Sequence, residues 1–123
     1  MQLLLVALGG ALGAVSRFWL GNLFGKVISG AWPWGTFIIN VTGCFAMGFL
    51  MTLITEREVL PAAWRLFLCV GLLGGFTTFS SFGYEVLGLL ASGQIAEALA
   101  YAGGSVLLGL IAAGIGVFCA RFI

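Results

Sequence analysis

The sequence predicts an all-α integral membrane protein of four transmembrane helices with a break in the third. Hydrophobic residues make up 62% of the chain and charged residues only 7%, whereas soluble domains carry about 25% charged residues. Four apolar runs, at residues 2–23, 34–55, 64–90 and 98–122, each reach the roughly 20 residues that a spanning helix needs. The connections are short, so we expect one transmembrane domain over residues 1–123 and a multi-pass location in the cell inner membrane.

The first run is predicted to be a retained helix rather than a signal peptide, because no Lys or Arg precedes its apolar stretch. Gly9, Gly10 and Gly13 recur at helical spacing and would let another helix approach closely. Arg17 lies toward the end of the run, where a guanidinium must be paired or solvated. It is either an anchor that reaches the lipid headgroups, or a group at an aqueous mouth that attracts anions or clamps the structure.

The second and fourth runs each carry a pair of polar side chains four residues apart, which places each pair on one helix face. Thr36 and Asn40 form the first pair, and Tyr101 and Ser105 form the second. The Asn40 amide offers two N–H donors. It serves either as a contact between helices or as a ligand group.

The third run contains the segment 74–82, Gly-Gly-Phe-Thr-Thr-Phe-Ser-Ser-Phe, in the middle of a membrane-length stretch. Gly74, Gly75 and Thr77 predict a break in this span. Unpaired backbone in hydrocarbon costs several kcal/mol, so such a segment must be buried in protein or line a cavity. A broken helix offers carbonyls from one half and N–H groups from the other to ions.

Phe79 and Phe82 flank Ser80 and Ser81 within this segment. Aromatic pairs at helical spacing are commonly core packing, but the edge of a phenyl ring carries the positive part of its quadrupole. Together with hydroxyl and amide donors, such edges would suit a small anion. Glu85, further along the same span, is either a proton carrier or an acceptor of hydrogen bonds from neighbouring hydroxyls; because the chain has no histidine, we favour the acceptor.

Basic residues are almost evenly divided between the two predicted sides of the membrane. Arg57, Arg65 and Arg121 fall on one side, and Arg17 and Lys26 on the other. Orientation follows the excess of Lys and Arg in short loops. We therefore expect insertion in both orientations and an antiparallel two-fold homodimer, the alternative being a weak bias toward one topology.

Several classes of function are disfavoured by composition. The three cysteines are isolated from one another and there is no histidine, so no metal site of the Cys/His type is expected. No nucleophile and base can be paired, which argues against an enzyme. A formal net charge of +1 without a basic cluster argues against nucleic acid.

Three ordered segments resemble the Fluc fluoride channels, also called the CrcB family. They are 9–17 (Gly-Gly-Ala-Leu-Gly-Ala-Val-Ser-Arg), 35–40 (Gly-Thr-Phe-Ile-Ile-Asn) and 74–82. The resemblance covers essentially the whole chain. Ser81 stands where Thr is common in the family, and Phe37 where Leu is common, but neither change removes a hydroxyl or a ring edge.

The resemblance implies a dual-topology homodimer in membrane lipid, with two antiparallel pores that passively pass fluoride out of the cytoplasm. Backbone carbonyls of Gly74 and Thr77 from both subunits would hold a central structural sodium ion, and Arg17 would lie by the vestibule. The fluoride pore would be lined by Thr36, Asn40, Phe79, Ser80, Ser81, Phe82, Glu85, Tyr101 and Ser105.

Two other functions compete with this assignment. A proton-coupled exporter of small cationic drugs would use Glu85 as a shared carboxylate in an acidic cavity. A non-conducting membrane scaffold would tolerate substitution of Phe79 and Asn40. The donor-rich segment and the predicted break disfavour the exporter.

Overall fold

In a computed structural model, which describes residues 1–28, 30 and 32–123, the chain folds into helices and short connections. The helices are α1 (Gln2–Val27), α2 (Trp34–Thr55), a π-helix (Arg65–Leu73) that runs directly into α3 (Gly74–Phe76), α4 (Phe79–Ala91) and α5 (Ile95–Ala120). Within the described ranges, four helical stretches are long and apolar enough to cross a membrane, the third of them being Arg65–Ala91. The predicted four-helix membrane fold is thus confirmed.

Two helices extend beyond the apolar runs that predicted them. Helix α1 continues past residue 23 to Val27 and has Lys26 in its last turn, and α5 begins at Ile95 rather than at 98, with Glu97 in its first turn. A basic group near a helix C-terminus and an acidic group near an N-terminus both interact favourably with the helix dipole. Hydropathy therefore marked the apolar part of each helix and missed its polar ends.

Glycines let α1 lie directly against the third span. A Cβ added at Gly9 would collide with the carbonyl of Phe67, and one at Gly13 with the carbonyl of Leu72. A Cβ at Gly75 would come within 2.5 Å of the Gly10 carbonyl. The small-residue face predicted for the first run is therefore a helix-packing surface.

The same device joins α2 to α5. A Cβ at Gly48 would collide with the carbonyl of Ala113, and one at Gly116 with the carbonyl of Phe45. Helix α1 and the third span thus pack backbone against backbone, and so do α2 and α5.

The third span is interrupted, as predicted, but the glycines are not where it opens. Gly74 is helical (φ −63°, ψ −36°), whereas Thr77 (φ −80°, ψ 157°) and Thr78 (φ −150°, ψ 123°) are extended. Gly75 is needed for the contact with α1 described above. The interruption falls at the two threonines, whose backbone and side chains find partners there.

We expect Gly13→Ala to destabilise the fold, because the new methyl group would also lie 2.8 Å from the backbone nitrogen of Phe76 and backbone cannot yield as a side chain can. Overpacking of this kind costs about 1–3 kcal/mol. The measurement is the unfolding midpoint in detergent, followed by tryptophan fluorescence.

Gly25→Ala is the matched control on the same helix, since no atom of the described residues lies within 4 Å of a Cβ at Gly25. Alanine is favoured over glycine in a helix by about 1 kcal/mol, so this variant should unfold at the native midpoint or above it. Equal midpoints for the two variants would contradict the packing described here.

Candidate functional site

Asn40 replaces the helical hydrogen bonds that are lost at the break. Its side-chain Oδ1 accepts from the backbone N–H of Thr78 at 2.9 Å, and its Nδ2 donates to the Thr78 carbonyl at 2.9 Å. One side chain from α2 therefore satisfies both polar groups of one extended residue. Because an unpaired backbone group in hydrocarbon costs several kcal/mol, this pair of bonds makes the break tolerable inside the bilayer.

The neighbouring carbonyl, that of Thr77, receives a hydrogen bond from α1. Nη1 of Arg17 donates to it at 3.2 Å, and the Arg17 side chain is half-buried. Among the alternatives that the sequence left open for Arg17, this geometry favours the clamp over the headgroup anchor. The N–H and hydroxyl of Thr77 both donate to the carbonyl of Leu73, at 3.0 and 2.9 Å, which closes the helix before the break.

Thr78 also caps the helix that follows the break. Its hydroxyl oxygen accepts from the backbone N–H of Ser81 at 3.2 Å, which is the usual role of an N-cap threonine. The same hydroxyl donates to Oγ of Ser81 at 3.2 Å and lies 3.3 Å from Oγ of Ser80. Sequence reasoning missed Thr78, although threonine is among the residues preferred at the N-cap of a helix.

An open cleft of about 300 Å³ lies beside the break. Five of the predicted site residues line it, namely Asn40, Thr77, Phe79, Phe82 and Ser105. The other seven do not, namely Arg17, Thr36, Gly74, Ser80, Ser81, Glu85 and Tyr101. Phe79, which lines the cleft, is 83% exposed, and the adjacent Ser80 and Ser81 are also exposed, so the cleft is open on that side in the single chain. The lining residues are Asn40, Gly43, Cys44, Met47, Thr77, Thr78, Phe79, Phe82, Ser105 and Val106.

Two polar side chains at this cleft carry a hydrogen that makes no hydrogen bond among the described residues. Within the part of the chain that the structure describes, the buried Oγ of Ser105 has no hydrogen-bond partner. An asparagine amide has two N–H donors, and one N–H of Asn40 donates to the Thr78 carbonyl. The other N–H is available to a ligand. Neutral donors thus meet phenyl rings at one place.

A second polar cluster surrounds Glu85. Its two carboxylate oxygens accept one hydroxyl each, from Thr36 at 2.7 Å and from Tyr101 at 2.6 Å. Tyr101 is fully buried. Three helices are joined through this one carboxylate, which is the arrangement expected of a hydrogen-bond acceptor.

A continuous row of aromatic rings connects the cleft with the Glu85 cluster. The ring centroids of Phe79 and Phe82 are 5.7 Å apart, and those of Phe82 and Tyr101 are 5.2 Å apart. The ring centroid of Trp32, in the connection before α2, lies 5.2 Å from that of Tyr101 and 4.9 Å from that of Phe37. Sequence reasoning missed Trp32, because a residue in a connection has no helical periodicity to reveal its neighbours.

The two carbonyls expected to bind sodium differ in their surroundings. Within residues 1–28, 30 and 32–123, no N–H or O–H donates to the carbonyl of Gly74, and that of Thr77 accepts only the Arg17 guanidinium. A carbonyl oxygen has two lone pairs, so both retain capacity for a hard cation. Carbonyl oxygens are donors of the kind that a hard cation such as sodium would take.

These features define a multi-pass membrane protein with four spans, an interrupted third span and a row of neutral polar and aromatic groups beside the interruption. The chain matches, over residues 4–117, the family model described as CrcB-like protein, Camphor Resistance (CrcB). It belongs to the CrcB family.

Curated relatives of this chain share about half of its residues. It is 51% identical over 121 residues to the fluoride-specific ion channel FluC of Chloroflexus aurantiacus, a match that covers 98% of this chain and 96% of the relative. It is 50% identical over 113 residues to the fluoride-specific ion channel FluC of Thermus thermophilus, covering 92% and 90%. It is 48% identical to the fluoride-specific ion channel FluC 2 of Nocardia farcinica, covering 98% and 85%.

We expect Asn40→Asp to loosen the break. A carboxylate can still accept from the Thr78 N–H, but it cannot donate to the Thr78 carbonyl, and the two oxygens would repel each other. Leaving a buried carbonyl without its donor costs about 1–3 kcal/mol, so amide hydrogen exchange at residues 78–82 should accelerate roughly fivefold or more.

Thr42→Val is the control, because its hydroxyl bonds only the carbonyls of Ile38 and Ile39 within α2 itself. Its exchange at 78–82 should match that of the native protein. Native exchange in Asn40→Asp would show that the paired bonds do not hold the break.

Proposed function

We propose that this chain forms a fluoride-selective passive ion channel of the inner membrane that lets fluoride leave the cytoplasm. The observation that carries the proposal is the meeting of unused neutral donors, from Ser105 and Asn40, with the rings of Phe79 and Phe82 at a cleft beside the broken span. Among the described residues that line that cleft there is no lysine, arginine or carboxylate. The fluoride-specific names of relatives about 50% identical support it.

The chemistry of the ion explains why such a lining would suit it. A selectivity filter must replace the hydration shell of its ion, and conduction requires binding strong enough for entry but weak enough for release. Hydroxyl and amide hydrogens are small and can approach a small halide closely. A full positive charge among them would hold the anion too tightly.

The proposed path runs along the aromatic row. An ion would enter beside Asn40 and Ser105, pass the edges of Phe79 and Phe82 with Ser80 and Ser81 alongside, and reach the cluster of Thr36, Glu85 and Tyr101. In the structure the hydroxyl hydrogens of Thr36 and Tyr101 point to the Glu85 carboxylate. They would have to turn away from it to serve an anion, so the carboxylate competes with the ion and keeps its binding weak.

The proposal includes a second copy of the chain in inverted orientation. Phe79, Ser80 and Ser81 face outward in the single chain, and a pore needs a wall on that side. The near-equal division of basic residues across the membrane favours insertion both ways. Two copies in a closed two-fold arrangement would cover both clefts at once.

A sodium ion would serve this dimer as a structural bridge. Gly74 is exposed on the single chain, and its carbonyl together with that of Thr77 has free lone pairs. Unwound carbonyls of discontinuous membrane helices are known sodium ligands. Bound there, the ion would neutralise the carbonyl dipoles that two facing copies bring together.

The exporter alternative has less support. Both oxygens of Glu85 are already engaged by hydroxyl groups, so the carboxylate is poorly placed to exchange a proton for a cationic drug. None of the described residues that line the cleft beside the break carries a carboxylate.

The direct test uses purified protein in liposomes with a fluoride electrode. We expect rapid fluoride efflux that needs no proton gradient, and chloride efflux far slower. Chloride efflux at the fluoride rate, or strict dependence on a proton gradient, would refute the channel.

Phe79→Ile is expected to stop fluoride efflux while the dimer stays intact, because isoleucine fills similar space but has no ring edge to face an anion. The matched control is Phe118→Ile, which removes a ring that is 62% exposed near the end of α5 and away from the cleft. Efflux and gel-filtration volume are compared for both. Native efflux in Phe79→Ile would assign this ring to packing.

Replacing sodium with N-methylglucamine should weaken the dimer, since the facing carbonyls would lose their counter-charge. The measurement is the monomer fraction in detergent as a function of protein concentration, with potassium as a second comparison. A dimer equally stable in all three salts would remove sodium from the proposal.

A further inference from the structure

Arg17 is held against the break by the register of α1 on the third span. Gly9, Gly13 and Arg17 are four residues apart and so share one face of α1. Gly9 lies against Phe67 and Leu72, and Gly13 against Leu72 and Phe76. Arg17 lies one turn of α1 beyond Gly13, beside the Thr77 carbonyl of the third span. Its Nη1 donates to that carbonyl oxygen at 3.2 Å.

Within the described part of the chain, no backbone N–H donates to the Thr77 carbonyl in place of Arg17. With ψ at 157° it turns out of the helical ladder. The N–H of Ser81, four residues on, is committed to the Thr78 hydroxyl. Among the described residues the guanidinium is its one donor, and a hydrogen bond from a charged donor is stronger than one between neutral groups.

We propose that Arg17 is a positioning residue, which fixes the extended Thr77–Thr78 segment from α1 as Asn40 fixes it from α2. The peptide group between Thr77 and Thr78 is thus held at its carbonyl by Arg17 and at its N–H by Asn40, and Phe79 is the next residue in the chain. Arg17 sets the point from which the Phe79 ring enters the cleft. This role rests on the proposed function, because it concerns the ring proposed to face fluoride.

The competing role, an electropositive lure for anions, fits the geometry less well. Arg17 does not line the cleft, and its Nη1 is engaged by a carbonyl. A lure acts through its charge alone and is screened by salt. A positioning residue acts through a hydrogen bond of fixed direction, which salt does not weaken in this way.

The experiment compares Arg17→Met with native protein in the assembled state, using hydrogen exchange at residues 78–82 and halide efflux from liposomes. Loss of a charge-assisted bond should accelerate exchange there by roughly tenfold or more. The ratio of chloride to fluoride efflux should rise, because the displaced ring no longer narrows the path. The fluoride defect should be equal at low and high ionic strength.

Arg121→Met is the matched control. Arg121 pairs with Glu56 at 3.1 Å, with the side chains 59% and 49% exposed, far along the sequence from the break. Exposed pairs of this kind contribute little, so exchange at 78–82 and the halide ratio should stay native.

A double-mutant cycle tests whether Arg17 and Asn40 hold the same Thr77–Thr78 segment or act independently of each other. If Arg17 and Asn40 hold the same segment, Arg17→Met should add less to the exchange rate and to the flux defect in an Asn40→Ala background than in the native one. Arg121→Met should be additive with Asn40→Ala. Additivity of Arg17→Met with Asn40→Ala would overturn the proposal.

If Arg17→Met fails to assemble, Arg17→Lys carries the test. Lysine keeps the charge but lacks the planar, multi-donor head and is more strongly hydrated. A lure would be preserved in this variant, whereas a positioning residue would not, and exchange at 78–82 would rise. Native exchange with a flux defect that disappears at high salt would establish the lure.

If native protein passes no fluoride, the proposed function fails, and the exchange data alone still decide the role of Arg17.

Discussion

The structure depends on one constraint: the peptide groups of Thr77 and Thr78 are taken out of a helix at membrane depth and must find partners elsewhere. The Asn40 amide supplies both partners of Thr78, since it is at once a donor and an acceptor. An aspartate or a leucine of similar size could not do both. Gly43, on the same face of α2, removes the side chain that would otherwise collide with the Thr77 methyl group.

This constraint also changes how Asn40 is understood. The sequence suggested a choice between a contact between helices and a ligand group, and the structure makes the two compatible. One N–H of the amide is spent on the Thr78 carbonyl, and the fixed plane of the amide then determines where the other N–H points. A donor whose direction is fixed by a second bond suits selective recognition, because it cannot follow a larger ion.

Much of this architecture was predictable from the sequence, because membranes impose simple rules. Apolar run length gave the four spans, the glycines at 9, 10 and 13 gave the α1 packing face, and the polar segment at 74–82 gave the break. What could not be predicted was pairing across the fold. That Arg17 meets Thr77, 60 residues away, or that Trp32 packs on Tyr101, depends on helix register, which periodicity within one helix does not contain.

The Thr77 carbonyl takes part both in the hydrogen bond from Arg17 and in the proposed sodium site. In the single chain it accepts a hydrogen bond from Arg17, and in the proposed dimer the same oxygen would face a sodium ion. A carbonyl has two lone pairs, so both can be served, but two positive groups at one oxygen repel each other. The guanidinium stabilises the break in the single chain, and in the proposed dimer it would limit how tightly a cation binds to the same oxygen. In the proposed dimer, one carbonyl oxygen would thus serve both the break within a subunit and the contact between subunits.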